Sequence, residues 1–249
     1  MPAVRRRPEP QRAEASNVTL GSGLCYTRAC GYKGRIASVE LQFLAAVTAA
    51  YLIGSLPTGY AIARLRGIDV LRVGSGHTGA TNVLRSSGLP CALLTAVADI
   101  LKGYAGVQLT RALIPGASWA VALSGIATVV GHNRSIFLGF GGGVGSMTTF
   151  GAALAISPTA ALIAMIVGAI PLGVTRYASL GSVTMAIALP VILAIGALGF
   201  GWPWVWVIFG LGTGALSLWE LRSNIGRLIR GEERKIGQAI LPGHEDIQT

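Results

Sequence analysis

Three stretches of this chain carry more hydroxyl, amide and guanidinium groups, and more glycine, than a connector needs. The first runs Val73-Gly74-Ser75-Gly76-His77-Thr78-Gly79-Ala80-Thr81-Asn82-Val83-Leu84-Arg85. Gly74, Gly76 and Gly79 let the backbone take positive φ and turn successive N–H groups to one side. Such a nest of donors suits an anion, and Ser75, Thr81, Asn82 and Arg85 would add to it. Arg85 can grip a phosphate through two parallel hydrogen bonds. The alternative for the same residues is a flexible glycine loop. No Gly-Lys-Ser/Thr follows, so this is not a nucleotide P-loop.

The second stretch is Gly131-His132-Asn133-Arg134, continuing through Phe137 and Gly139 to Gly141, Gly142, Gly143, Gly145, Ser146 and Thr148. Its glycines could present the free N–H groups of a helix start to an anion. Close packing of helix backbones explains them as well, and on chemistry alone is favoured. The third, Thr175-Arg176-Tyr177-Ala178-Ser179-Leu180-Gly181-Ser182, reads as an interfacial turn with a snorkelling arginine. Asp99 and Lys102 stand three apart on one helical face inside an apolar run, as an ion pair or as functional groups. His132 is a candidate base or a hydrogen-bonded structural residue. There is no His-x4-Asp, no Gly-x-Ser-x-Gly elbow and no carboxylate pair, so neither a metal site nor a cofactor is expected.

The elements that must position these groups are membrane helices. Of 249 residues 52% are hydrophobic and only 12% charged, and the mean hydropathy is +0.61. A soluble domain carries about 25% charged residues, so a soluble enzyme and intrinsic disorder of the whole chain are both excluded. The net charge of +10 sits at segment ends and in the N-terminal tail. That pattern fits anionic headgroups and argues against nucleic acid. Cys25, Cys30 and Cys91 form no disulfide or zinc framework. Apolar stretches at 41–63, 91–113, 119–132, 146–157, 159–174, 179–199 and 202–220 predict an all-α, polytopic protein of about seven transmembrane helices. Short or broken helices are expected around the glycine motifs. The Lys/Arg bias places loop 64–90, stretch 133–145, turn 175–178 and the C-terminus in the cytoplasm. Residues 1–38 read as a disordered basic tail or a misplaced start, 39–222 as the transmembrane domain and 223–249 as a basic cytoplasmic tail.

The motifs resemble the bacterial PlsY family of acyl-phosphate:glycerol-3-phosphate acyltransferases. The resemblance rests on Gly54-Ser55-Leu56-Pro57, on Gly74-Ser75-Gly76-x-x-Gly79-Ala80-Thr81-Asn82-Val83-x-Arg85, and on Asp99-Ile100-Leu101-Lys102-Gly103. Gly131-His132-Asn133, Phe137-Leu138-Gly139-Phe140, Arg176-Tyr177-x-Ser179-Leu180 and Asn224-Ile225-x-Arg227-Leu228 extend it over about residues 40–237. It implies a multi-pass enzyme of the bacterial inner (plasma) membrane with a cytoplasmic active site. Such an enzyme moves a fatty acyl group from acyl phosphate to the 1-hydroxyl of glycerol 3-phosphate, the first step of phospholipid biosynthesis. Its partners are those two substrates and the lipid bilayer; no oligomeric state is implied. By position, the resemblance assigns catalysis to Ser75, Arg85 and Asn224. It assigns substrate binding to Gly74, Gly76, Thr81, Asn82, His132, Asn133, Gly142, Gly143, Gly145, Thr148, Arg176, Ser179 and Ser182.

The chain departs from the family at three places. The family's Gly-Phe-Lys-Gly-Gly-Lys-Gly has Gly141 and Val144 here instead of lysines, the histidine of its last motif is Leu221, and the Asn of its first is His77. Each lost charge-assisted phosphate contact is worth about 1.5–3 kcal/mol. The alternative reading is therefore a catalytically silent or substrate-switched paralogue that binds a phosphorylated ligand or phospholipid.

Overall fold

The computed structural model describes residues 40–238, and among them every regular element is helical. The 1–38 tail and residues 239–249 lie outside the described residues. Helix α1 (residues 40–55) stops at Leu56-Pro57, where proline has no N–H to continue the ladder, and α2 (Thr58–Arg64) resumes beyond it. Then follow α3 (Ala80–Ser87), α4 (Leu89–Leu113), α5 (Ser118–Asn133), α6 (Ser146–Ile156), α7 (Pro158–Thr175), α8 (Ala178–Phe200), α9 (Val205–Glu220) and α10 (Arg222–Arg230).

All seven apolar stretches are helical, but they are not equally long. Four helical runs are long and apolar enough to cross a membrane: Glu40–Arg64, Leu89–Leu113, Pro158–Thr175 and Ala178–Phe200. Helices α5, α6 and α9 have 16, 11 and 16 residues. At 1.5 Å per residue they reach about 24, 17 and 24 Å, short of a hydrocarbon core about 30 Å thick. Of the about seven expected membrane helices, short or broken ones among them, four are long enough to span and three are shorter among the described residues. Helix α6 is cut at both ends, by Gly145 at φ +88 and by Ser157, whose side chain caps the Pro158 start of α7. Leu93, Leu101, Ile166, Ile170, Val191 and Leu198 leave an aliphatic surface on α4, α7 and α8, as lipid-facing helices do.

Small residues set the packing. Helix α4 lies on α6, α7 on α8, and α9 on α5 and α8. A Cβ at Gly54 would collide with the Thr128 carbonyl of α5, and one at Gly103 with the Thr148 carbonyl of α6. The backbones therefore approach closely, around a core that includes fully buried Phe209 and Val107. These crossings bring the starts of α3, α6 and α8 to one place.

Candidate active site

The glycine loop is organised by one side chain. Asn82, 2% exposed in the first turn of α3, donates its amide to the carbonyls of Val70, Val73 and His77 at 3.0, 2.9 and 2.9 Å. Its Oδ1 accepts from Ser75 N at 3.2 Å. Gly74 and Gly76, at φ +68 and +69, allow the loop to wrap this amide, and a Cβ on Gly74 would collide with Asn82 Oδ1. The loop thus presents Ser75 and His77 to a cavity of about 220 Å³.

Three helix N-termini open on that cavity. Gly79, Ala80 and Thr81 reach it from α3, Gly145, Ser146 and Met147 from α6, and Ala178 and Ser179 from α8. None of these helices has a side-chain cap or an acidic residue in its first turn. Each N-terminus carries roughly half a positive charge with unspent N–H donors. The Oγ atoms of Ser146 and Ser179 and Nε of Arg85 are buried without a partner. Burial lowers the Arg85 pKa from its ordinary value, and the nearby Glu233 carboxylate works against that shift. Leu221, Asn224 and Ser182 complete the wall.

The opposite side holds a buried ion pair. Asp99 Oδ1 lies 2.9 Å from Lys102 Nζ and accepts from Thr58 Oγ1 at 2.8 Å. Lys102 also donates to the Leu56 carbonyl at the proline break, at 3.1 Å, which Thr58 N shares at 2.9 Å. His132 Nδ1 stands 3.6 Å from Asp99 Oδ1, beyond hydrogen-bond reach. Asp99 and His132 both line the cavity. The ion-pair reading of Asp99 and Lys102 describes what they do.

A second cavity, about 500 Å³, adjoins the first and shares Ser75, His77, Arg85 and Glu233 with it. Arg72, Arg134, Arg222, Arg227 and Arg234 line it as well, against Glu220 and Glu233. Arg134 pairs with Glu220 at 2.7 Å and Arg227 with Glu233 at 2.9 Å. Beyond α10, Gly231 at φ +73 turns the chain back. Residues 232–238 then form a strap in which Arg85 Nη2 donates to the Arg234 carbonyl and Asn224 Nδ2 to Glu233, each at 2.9 Å.

The structure brings Ser75, Thr81, Asn82, Arg85, His132, Gly145, Ser179, Ser182 and Asn224 to the smaller cavity, and Gly74, Gly76 and Gly142 to the larger. Four expected residues line neither. Asn133 is buried, and with its amide turned it donates to Val129 and Gly143 carbonyls. Gly143 makes room for the His132 ring, Thr148 is buried at the α4–α6 crossing, and Arg176 bonds the strap at Ile236. Sequence reasoning missed Glu233, and it put Ser146 in the second stretch without assigning it to the site. The one signal for Glu233 is the acidic pair Glu232-Glu233 set between Arg230 and Arg234-Lys235.

The sequence profile of glycerol-3-phosphate acyltransferases matches residues 44–231. The chain belongs to this family. Among glycerol-3-phosphate acyltransferases, one from Deinococcus radiodurans is 42% identical over 203 residues, 81% of this chain and all of that one. One from Halalkalibacterium halodurans is 38% identical, covering 80% of this chain and 98% of the relative. The crystal structure of PlsY, an integral membrane glycerol 3-phosphate acyltransferase, in its glycerol 3-phosphate form, superposes with a TM-score of 0.73. It shares 36% identity over 78% of this chain and 96% of PlsY. Of the positions where the resemblance implies other residues, His77, Val144 and Leu221 stand in the wall of the smaller cavity, whereas Gly141 lines neither cavity.

Proposed function

We propose that this chain transfers a fatty acyl group from acyl phosphate to the 1-hydroxyl of glycerol 3-phosphate, yielding lysophosphatidic acid and inorganic phosphate. The observation that supports this best is the convergence of three uncapped helix N-termini, Arg85 and two unpartnered serine hydroxyls on one cavity. An acyl phosphate already carries a good leaving group, so the protein's task is to align two anions and stabilise developing charge. The glycerol hydroxyl oxygen bonds to the acyl carbon, the carbonyl oxygen becomes an oxyanion, and the acyl C–O bond to phosphate then breaks. The hydroxyl proton leaves on the departing phosphate, and no protein base is required.

In this reading Arg85 and the α3 and α6 N-termini hold the leaving phosphate. Ser75, Asn224, Ser179 and Ser182 orient the acceptor. Asn82 acts through the loop it shapes, and His132 fills the wall beside Asp99. The basic loops support a site at the cytoplasmic face of a bacterial plasma membrane. The water-soluble acceptor arrives through the arginine-lined cavity and the lipidic donor from the bilayer.

Purified protein supplied with palmitoyl phosphate and labelled glycerol 3-phosphate is expected to form labelled lysophosphatidate, and with palmitoyl-CoA in its place to form none. A folded sample giving no product with palmitoyl phosphate overturns the proposal. That result favours the silent-paralogue reading, to which Val144 and Leu221 in the cavity wall lend support.

A further inference from the structure

The strap at residues 232–238 engages several of the donors a phosphate needs. Asn224 Nδ2 and Arg227 Nε both donate to the Glu233 carboxylate at 2.9 Å, and Glu233 is 6% exposed. Arg85 Nη2 donates to the Arg234 carbonyl at 2.9 Å, and Arg176 Nη2 to the Ile236 carbonyl at 2.8 Å. The strap is fastened in return by Ile236 N donating to the Arg176 carbonyl at 2.8 Å and by Lys235 Nζ lying 5.6 Å from the Tyr177 ring centroid. One carboxylate and two carbonyl oxygens therefore sit on Arg85, which the glycine motif marks for phosphate, on Arg176 and Asn224, which the family resemblance assigns to the site, and on Arg227 beside them. Glu233 lines both cavities, so it stands where they meet.

A carboxylate at that point opposes a second anion. Glu233 answers Arg85 and Arg227 while the cavity is empty of substrate, and a doubly charged phosphate entering beside it meets repulsion at short range. A partly buried cation left without a partner carries part of that cost too, so Arg85 is answered by either the strap or the substrate, while Arg227, 30% exposed, is also reached by water. The two occupants are alternatives.

We propose that the 232–238 strap is a built-in competitor for the phosphate monoester. Glycerol 3-phosphate, arriving through the arginine-lined cavity, takes Arg85 from the Arg234 carbonyl and Asn224 from Glu233, and the strap loosens from Arg176. This rests on the function proposed above for what the phosphate monoester is. The exchange itself is independent of whether acyl transfer follows.

Two measurements test it. Hydrogen exchange of the Ile236 amide in the full-length protein is expected to speed up at least about tenfold with saturating glycerol 3-phosphate or inorganic phosphate, and not with glycerol. Unchanged or slower exchange overturns the proposal, and this readout needs no turnover. In the double variant Tyr177→Cys/Lys235→Cys, a short bis-methanethiosulfonate linker pins the strap to the start of α8. The kcat/KM for glycerol 3-phosphate is expected to fall at least about tenfold when linked and to return with dithiothreitol, the wild type treated alike being unaffected. A linked protein as active as its unlinked form overturns the strap's role. An unlinked variant and wild type that both lack acyl transfer count against the proposed function instead, and the exchange measurement still decides the strap.

Discussion

The two adjoining cavities gather positive potential in opposite ways. The smaller one relies on backbone: the starts of α3, α6 and α8, with Arg85 as its full cation and hydroxyls that have no partner in the protein. The larger one relies on side chains, six arginines of which Arg134 and Arg227 are tied to Glu220 and Glu233. Helix N–H groups cannot swing away to find another acceptor, so they remain available for a ligand. Guanidinium groups on flexible stems find carboxylates and are largely spent. The difference suggests that chemistry belongs to the first cavity and attraction of anions to the second.

Arg85 belongs to both, and removing it breaks the comparison most severely. Arg85→Ala is expected to lower kcat/KM for acyl transfer about a hundredfold, the scale of a lost charge-assisted contact at 1.4 kcal/mol per decade. Steady-state kinetics on detergent-purified protein checks this. A loss of only a fewfold would assign the phosphate to the backbone alone.

Val144→Lys puts a second side-chain cation beside Arg85 in the smaller cavity, and is expected to lower KM for glycerol 3-phosphate about tenfold. Gly141→Lys, at a position lining neither cavity, is expected to change it about twofold or less. Equal effects from both would erase the distinction between the cavities.

Ser179→Ala removes one unpartnered hydroxyl and is expected to reduce kcat/KM about three- to tenfold, as a neutral hydrogen bond does. Arg134→Gln removes a whole charge already paired with Glu220 and is expected to cost about twofold or less. Reversal of that order would show the larger cavity to be the reacting one.

The smallest effect concerns pH. Burial holds the His77 imidazole below its ordinary pKa of 6.5; Glu220 opposes the shift, and Arg227, Arg134 and Arg222 add to it. The folded protein favours the neutral ring, so this group's contribution to stability is complete above 6.5 and is lost as pH falls below it. His77→Asn is expected to flatten the acid side of the Tm–pH curve between about pH 7 and pH 5, with the wild type measured in parallel.

Much of this was legible before any coordinates, because the motifs are local. Ser75, Thr81 and Arg85 lie within eleven consecutive residues, and a helix turn after a glycine loop can send them only to one region. Ser179, Ser182 and Asn224 joined them through family resemblance, since nothing in their own neighbourhood tells that α8 and α10 line one cavity with α3. The apolar stretches located the helices but not their lengths as spans, because Gly145 and Ser157-Pro158 stop α6 inside a run whose hydropathy continues. Thr148 and Asn133 look like ligands in sequence, yet both face packed helices. Glu233 escaped because the strap that carries it meets the glycine motif through Arg85 and the Arg234 carbonyl, 149 residues apart, a separation no motif spans.

Asn82 carries a further consequence. Its one carboxamide bonds Val70, Val73, Ser75 and His77 together. Exchanging that NH2 for an oxygen, Asn82→Asp, alters neither size nor shape, yet three carbonyls would then face an acceptor. The whole turn would have to open, so among substitutions in this region the most conservative in volume should be one of the most disruptive in outcome.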